Sequence, residues 1–145
     1  MTAPLGRVLI IAGSDSGGGA GVQADIKAVT MLGGHAATAI TAITVQNTLG
    51  VSGVHPIPLE VVEAQARAVL DDIGADAVKT GMLGDIGMVE TVARILAAGA
   101  IVIGKTAAAN AVLSHIDASE DGIGDYTGPL SEDLRFPDWS RSALA

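Results

Sequence analysis

A glycine-rich stretch at residues 12–21 constrains the fold of this chain more than any other feature of its sequence. It reads Ala-Gly-Ser-Asp-Ser-Gly-Gly-Gly-Ala-Gly and follows a continuously apolar run at residues 8–11. A glycine loop between a buried strand and a helix N-terminus can turn its backbone N–H groups toward a polar or anionic ligand. The glycine spacing fits neither G-x-G-x-x-G nor G-x-x-x-x-G-K-[ST]. A generic strand-to-helix turn therefore remains the alternative interpretation.

Beyond this stretch, apolar patterns typical of strands and helices alternate along the first hundred residues. The predicted strands are residues 7–12, 36–45, 77–78 and 100–103. The predicted helices start at Val22, Pro58 and Asp85 and end at Gly33, Gly74 and Gly99. Residues 49–58 contain two glycines and two prolines, which predicts a loop or a short edge strand. The alternation predicts an α/β fold, with a parallel sheet, right-handed crossovers and covering helices.

Polar or glycine-rich turns follow three of the predicted strands, at residues 13–21, 46–48 and 80–82. In an open parallel sheet, the carboxyl ends of the strands meet at one edge, and ligands bind there. The sequence therefore predicts a ligand pocket built from these three turns.

Charge and composition exclude several other classes of function. The net charge of −8 argues against a nucleic-acid partner, and the absence of cysteine excludes disulfides and thiolate metal sites. The three histidines lack metal-ligand spacing; they are His35, His55 and His115. No segment reaches the roughly 20 apolar residues of a membrane span, and the N-terminus does not resemble a signal peptide. We therefore expect a cytoplasmic protein with no membrane partner.

The sequence changes character after residue 103. Acidic residues, glycine, serine and proline dominate the later part of residues 104–145, which predicts a loosely ordered, irregular tail. Residues 99–106 match the phosphate-loop pattern G-x-x-x-x-G-K-[ST] letter for letter. Their four variable positions, Ala-Ile-Val-Ile, favour a strand rather than a loop around phosphates. We therefore interpret this match as a coincidence.

Three of the motifs resemble those of a known family in order and spacing. Residues 12–25, 41–48 (Thr-Ala-Ile-Thr-Val-Gln-Asn-Thr) and 79–82 (Lys-Thr-Gly-Met) resemble the phosphomethylpyrimidine kinases of thiamine biosynthesis, a resemblance that covers about residues 7–98. The resemblance implies a ribokinase-like α/β sandwich. It also implies phosphoryl transfer from Mg-ATP to hydroxymethylpyrimidine and then to its monophosphate.

The same resemblance implies a pocket for an aminopyrimidine lined by Gly13, Ala20, Gln46 and Met82, with Asp15 as a weaker candidate near the hydroxymethyl group. A glutamine amide offers a donor and an acceptor, which suits the amino group and ring nitrogen of the pyrimidine. Methionine packs softly against a ring, and glycine permits close approach of the backbone. A strand-end cap is the alternative role of Gln46. No catalytic residue and no metal ligand is predicted.

The sequence also departs from the family pattern. The family's Val-Asp-Pro-Val-like segment after the fourth strand, its nucleotide site and its late glycine-rich anion hole have no counterpart here. We therefore expect residues 1–103 to form a partial, substrate-binding domain and residues 104–145 to be unrelated to the family. We also expect the chain to be truncated or frameshifted, and inactive by itself. The alternatives are a non-catalytic pyrimidine-binding or regulatory fragment, and a degenerate product without function, whose exposed sheet edge favours aggregation. Independently of these alternatives, an interrupted sheet favours association through its edge, as in a homo-oligomer.

Overall fold

The computed structural model describes residues 6–97 and the backbone of residues 102–103. Six strands and three helices lie in this part of the chain. In order they are β1 (Arg7–Ala12), α1 (Gly21–Met31), β2 (His35–Ile40), β3 (Ala42–Asn47), β4 (Gly50–Pro56), α2 (Leu59–Asp72), β5 (Ala77–Thr80), α3 (Ile86–Leu96) and β6 (Val102–Ile103).

The main sheet has four parallel strands in the order β2-β1-β5-β6. Strand β1 is central, and its apolar run is buried on both faces, as its composition predicts. Leu9 and Ile11 pack in a core with α2 and α3, whereas Ile10 and Ala12 pack against Val22 of α1. Helices therefore cover both faces of the sheet, and the predicted α/β class is confirmed.

The prediction of one buried strand over residues 36–45 is wrong, because Thr41 divides that run. Strand β2 ends at Ile40 in the main sheet, and β3 leaves it to pair with β4 in an antiparallel two-stranded sheet, here called the flap. The side chains of Ile43 and Val45 on β3 are exposed. Gln46 and Asn47 accordingly form the end of flap strand β3 and do not follow a main-sheet strand. Of the two alternatives for residues 49–58, a loop or a short edge strand, the structure has a strand, β4.

Local signals place the starts of α2 and α3 and the end of α2 correctly. Helix α3 ends at Leu96, and its predicted stop, Gly99, lies outside the described residues. Asp85 is the N-cap of α3 and accepts the Met88 N–H at 2.9 Å. Helix α2 follows Pro58, and the chain turns at Gly74 with φ of 73°. Strand β6 begins at Val102, beside Val78. The phosphate-loop look-alike, apart from residues 102–103, and the predicted tail at residues 104–145 lie outside the described residues.

Candidate functional site

The glycine loop, residues 13–21, folds back on itself as it enters α1. The Val22 N–H donates to the Gly13 carbonyl at 3.0 Å, which closes the loop at its base. Gly21 has φ of 56°, and a Cβ at this position would collide with the same Gly13 carbonyl. Gly18 also has a positive φ, 74°. The loop can therefore take this shape only because glycine occupies these positions.

Two serines of the loop join it to strand β3 of the flap. The Ser14 N–H donates to the Ala42 carbonyl at 2.9 Å, and the Thr44 hydroxyl donates to the Ser14 carbonyl at 2.7 Å. The Ser16 hydroxyl donates to the Gln46 carbonyl at 2.5 Å and accepts the Gln46 N–H at 2.8 Å. Residues at alternate positions of the loop thus bond to alternate positions of β3, mostly through side-chain hydroxyls.

Asp15 lies between these serines, and its carboxylate accepts backbone N–H groups of the loop. Gly17 donates to Oδ1 at 2.7 Å, and Gly19 and Ala20 donate to Oδ2 at 2.9 and 2.8 Å. The residue is only 5% exposed. Burial by itself would raise the pKa of this carboxyl, but the backbone donors outweigh burial and hold the pKa below its ordinary value of 3.8. Asp15 is therefore an ionised group inside the loop.

Met82 closes the pocket wall opposite the loop. A Cβ on Gly13 would lie 2.7 Å from the Met82 Cε, so the methionine packs directly on the glycine. The Thr41 hydroxyl donates to the Met82 carbonyl at 2.7 Å and fixes this turn. Met82 is 46% exposed and also lines a cavity of about 510 Å³ beneath the flap. Of the five predicted substrate-binding residues, Met82 alone lines this cavity.

Of the five predicted substrate-binding residues, three belong to the glycine loop itself, and the structure places the other two, Gln46 and Met82, against it. Gly13 contacts Met82, and Ser16 ties Gln46 to the loop, while the N–H of the exposed Ala20 donates to Asp15. The Gln46 side chain is half-buried, and its Oε1 lies 3.4 Å from the Thr44 hydroxyl. Both carboxylate oxygens of Asp15 face the loop's own backbone. Contact of these residues with a substrate stays a prediction.

Sequence reasoning missed the residues that hold the site together. Thr41 is 2% exposed and joins the end of β2 to the turn after β5. Gln65 of α2 accepts the Ile40 N–H at 3.1 Å and donates to the Ile40 carbonyl at 3.3 Å. These two hydrogen bonds satisfy the backbone of Ile40 as a neighbouring strand would, at the point where the chain leaves the main sheet. Thr41 is the first residue of the family motif at residues 41–48, and this position is the sequence signal that could have identified it. Gln65 follows no pattern.

Two further findings concern the part of the chain that the structure describes. Within residues 6–97, no cluster of three His, Cys, Asp or Glu side chains could hold a metal ion. None of the described helices is both long and apolar enough to cross a membrane.

The fold is that of part of the ribokinase-like vitamin kinases. A phosphomethylpyrimidine kinase from Clostridium difficile 630 superposes with a TM-score of 0.66 and 34% identity, over 74% of this chain and 54% of that one. The pyridoxal kinase from Staphylococcus aureus, solved with AMP-PCP and pyridoxal, gives 0.63 and 38%, over 70% and 39%. The phosphomethylpyrimidine kinase family matches residues 15–111, and the chain belongs to this family.

Curated relatives carry the same family name. The hydroxymethylpyrimidine/phosphomethylpyrimidine kinase of Mycobacterium leprae is 60% identical over 92 residues, which are 63% of this chain and 33% of that protein. The enzyme of the same name from Bacillus subtilis is 58% identical over 88 residues, 61% of this chain and 32% of that protein. The chain thus spans about a third of the length of the curated relatives it matches.

Proposed function

We propose that the glycine loop, the flap and Met82 form the binding wall for an aminopyrimidine, and that the chain serves the phosphorylation of hydroxymethylpyrimidine and its monophosphate in thiamine biosynthesis. The observation that carries the proposal is the contact of Met82 with Gly13, which Thr41 holds in place. Membership of the phosphomethylpyrimidine kinase family supports the substrate class.

The chemistry of the wall suits an aminopyrimidine. The half-buried Gln46 amide offers one acceptor oxygen and two donor hydrogens, which match the ring nitrogen and amino group of the ligand. The exposed part of Met82 gives a polarizable surface for the ring face. Gly13 has no side chain, so a ring can approach the backbone beside Met82. These features favour a flat, uncharged heterocycle.

The phosphoryl donor of the family is Mg-ATP, and the described residues do not fit its phosphates. The loop N–H groups that could hold a phosphate donate to Asp15 instead. Within residues 6–97 no carboxylate cluster suits a metal ion. The Staphylococcus aureus pyridoxal kinase was solved with AMP-PCP, which shows a nucleotide in that protein. We derive no transfer step for this chain.

A second candidate is a module that binds the pyrimidine without phosphorylating it. Two observations favour it: Met82 packs on Gly13, and the N–H groups of residues 17, 19 and 20 donate to Asp15 and not to a ligand. Assignment of residues 1–103 to the substrate-binding part stays a prediction, and the family match runs on to residue 111. A cytoplasmic location and a homo-oligomer also stay predictions.

Calorimetric titration of the full chain with hydroxymethylpyrimidine tests the binding wall. We expect saturable binding to the wild-type protein. Gln46→Ala should raise the Kd at least about tenfold, because a buried nitrogen of the ligand loses its hydrogen-bond partner. Asp71→Ala, at an exposed position late in α2, is the control and should leave affinity unchanged. No heat in the wild-type protein, or equal loss in both variants, would overturn the proposal.

Turnover of Mg-ATP with the pyrimidine then separates the two candidates. Phosphorylated product at a kinase-like rate of about 1 s⁻¹ or more would establish the kinase. Binding without product would establish the binding module. Pyridoxal, the ligand in the Staphylococcus aureus structure, is the alternative substrate for both measurements.

A further inference from the structure

Four consecutive backbone N–H groups of the glycine loop point at one residue. Gly17, Gly19 and Ala20 donate to the Asp15 carboxylate at 2.7 to 2.9 Å, and Gly18 donates to the Asp15 carbonyl at 3.0 Å. Both carboxylate oxygens are used. The polar groups with which this loop could bind a ligand are thus already bonded within the chain.

These N–H groups are of the kind that bind a phosphate elsewhere. Consecutive N–H groups of a glycine-rich turn before a helix form a concave anion site, and the helix dipole adds to its positive potential. Helix α1 begins at Gly21, and its N-cap Ala20 has no side chain to accept a hydrogen bond. The Asp15 carboxylate accepts three N–H groups of the turn before the helix and supplies a negative charge there. It stands where a bound anion would stand.

The negative charge of Asp15 keeps other anions away from these N–H groups. Asp15 is almost fully buried, and the N–H donors favour its ionised form. A second anion at the loop would meet a like charge and find the N–H groups of residues 17–20 already bonded. The Lys27 ammonium donates to the Gly18 carbonyl at 2.7 Å, so a cation already borders the loop. Without the Asp15 carboxylate, the loop and Lys27 would together attract an anion.

We propose that Asp15 is a positioning and specificity residue whose carboxylate closes the anion-binding backbone of the glycine loop. It holds the loop in the shape that joins it to the flap, and it keeps the phosphate-bearing end of any ligand away from residues 17–20. Only the identity of the ligand rests on the proposed function. With the pyrimidine as that ligand, its uncharged ring edge faces the loop. The monophosphate of the substrate and the phosphates of a nucleotide lie elsewhere.

Inorganic phosphate is the probe, and the full chain is the sample. We expect the amide NMR signals of residues 17–20 to stay fixed during phosphate titration of the wild-type protein. In Asp15→Ala the same signals should shift saturably, with a Kd for phosphate at least about tenfold lower than any value for the wild type. Lost structure alone cannot create such binding. Asp71→Ala, the same substitution at an exposed position late in α2, is the matched control and should behave like the wild type.

Two results would overturn the proposal: loop amides of the wild-type protein that respond to phosphate, or a folded Asp15→Ala that does not. If Asp15→Ala fails to fold, Asp15→Asn removes the charge and keeps one acceptor oxygen, and it should bind phosphate more tightly than the wild type. If neither variant folds, the wild-type titration decides alone. Since no pyrimidine is present, failure here is distinct from failure of the proposed function.

Discussion

The Thr41 hydroxyl donates a 2.7 Å hydrogen bond to the carbonyl of Met82, 41 residues further along the chain. Thr41 uses its other polar groups as well. Its N–H donates to Ala12 at the end of β1, and its carbonyl accepts the Ile57 N–H at the base of the flap. One buried residue thus joins the main sheet, the flap and the turn that carries Met82. The pocket wall depends on this junction.

Thr41→Val should destabilise the fold and weaken pyrimidine binding. Valine keeps the shape of threonine but leaves the partly buried Met82 carbonyl without its donor. Loss of such a partner costs about 1–3 kcal/mol in the free energy of unfolding. Urea denaturation of the two proteins measures this difference. Calorimetric titration should show weaker binding as well, because the Met82 turn is no longer fixed.

Thr80→Val is the matched control for that substitution. Thr80 is fully buried at the end of β5, and its hydroxyl has no hydrogen-bond partner in the part of the chain that the structure describes. Its replacement by valine removes an unsatisfied polar group, so we expect an unchanged or higher free energy of unfolding. Equal destabilisation by Thr41→Val and Thr80→Val would contradict the role of the Thr41 hydrogen bond.

Much of the fold can be predicted from the sequence because its signals are local. The apolar run of β1, the Asp85 cap and the turn at Gly74 each act within a few residues, and each lies where predicted. The division of residues 36–45 has no such signal. No glycine or proline interrupts that run, and the bonds that bend the chain at Thr41 come from residues distant in sequence. Strand propensity alone cannot show them.

The candidate site shows the same limit. The resemblance named Gly13 and Met82, and the structure brings them into contact. Asp15 was predicted to lie near the substrate because a carboxylate in a ligand loop suggests a ligand contact. The directions of the loop N–H groups, which make it the loop's own acceptor, depend on backbone angles that glycine leaves open. Only the folded loop reveals that role.

Gly13→Ala should impair binding more than stability. The new methyl group would meet the Met82 Cε at 2.7 Å, and this end of a flexible side chain can move away. We expect the free energy of unfolding to stay within about 1 kcal/mol of the wild type. The displaced Met82 side chain should raise the Kd for hydroxymethylpyrimidine by about tenfold. Urea denaturation and calorimetric titration measure the two effects separately.

Gly21→Ala should instead destabilise the fold. At Gly21 φ is 56°, and the new methyl group would collide with the Gly13 carbonyl, which belongs to the backbone and cannot move aside. We expect a loss of about 2–4 kcal/mol in the free energy of unfolding, from the left-handed conformation and the collision together. Comparable stabilities for Gly13→Ala and Gly21→Ala would show that the loop differs from the geometry described.

The ion pair of Arg7 and Asp76 should make stability depend on pH in the acid range. Arg7 donates to Asp76 from Nη2 at 2.7 Å, from Nε at 3.0 Å and from the backbone N–H at 2.8 Å. These hydrogen bonds lower the pKa of Asp76 from its ordinary value of 3.8 to about 2. Its contribution to stability is therefore complete above the unfolded pKa and is lost as pH falls through the folded pKa.

Asp76→Asn removes this dependence and so tests it. The Tm of the wild type should exceed that of the variant near neutral pH by a small amount, because exposed ion pairs contribute little. The difference should shrink between pH 3.8 and about 2, the range set by the Asp76 pKa. Asp71→Asn makes the same charge change away from Arg7 and is the control. A difference between wild type and Asp76→Asn that stays constant down to about pH 2 would show that Arg7 does not hold the carboxylate ionised.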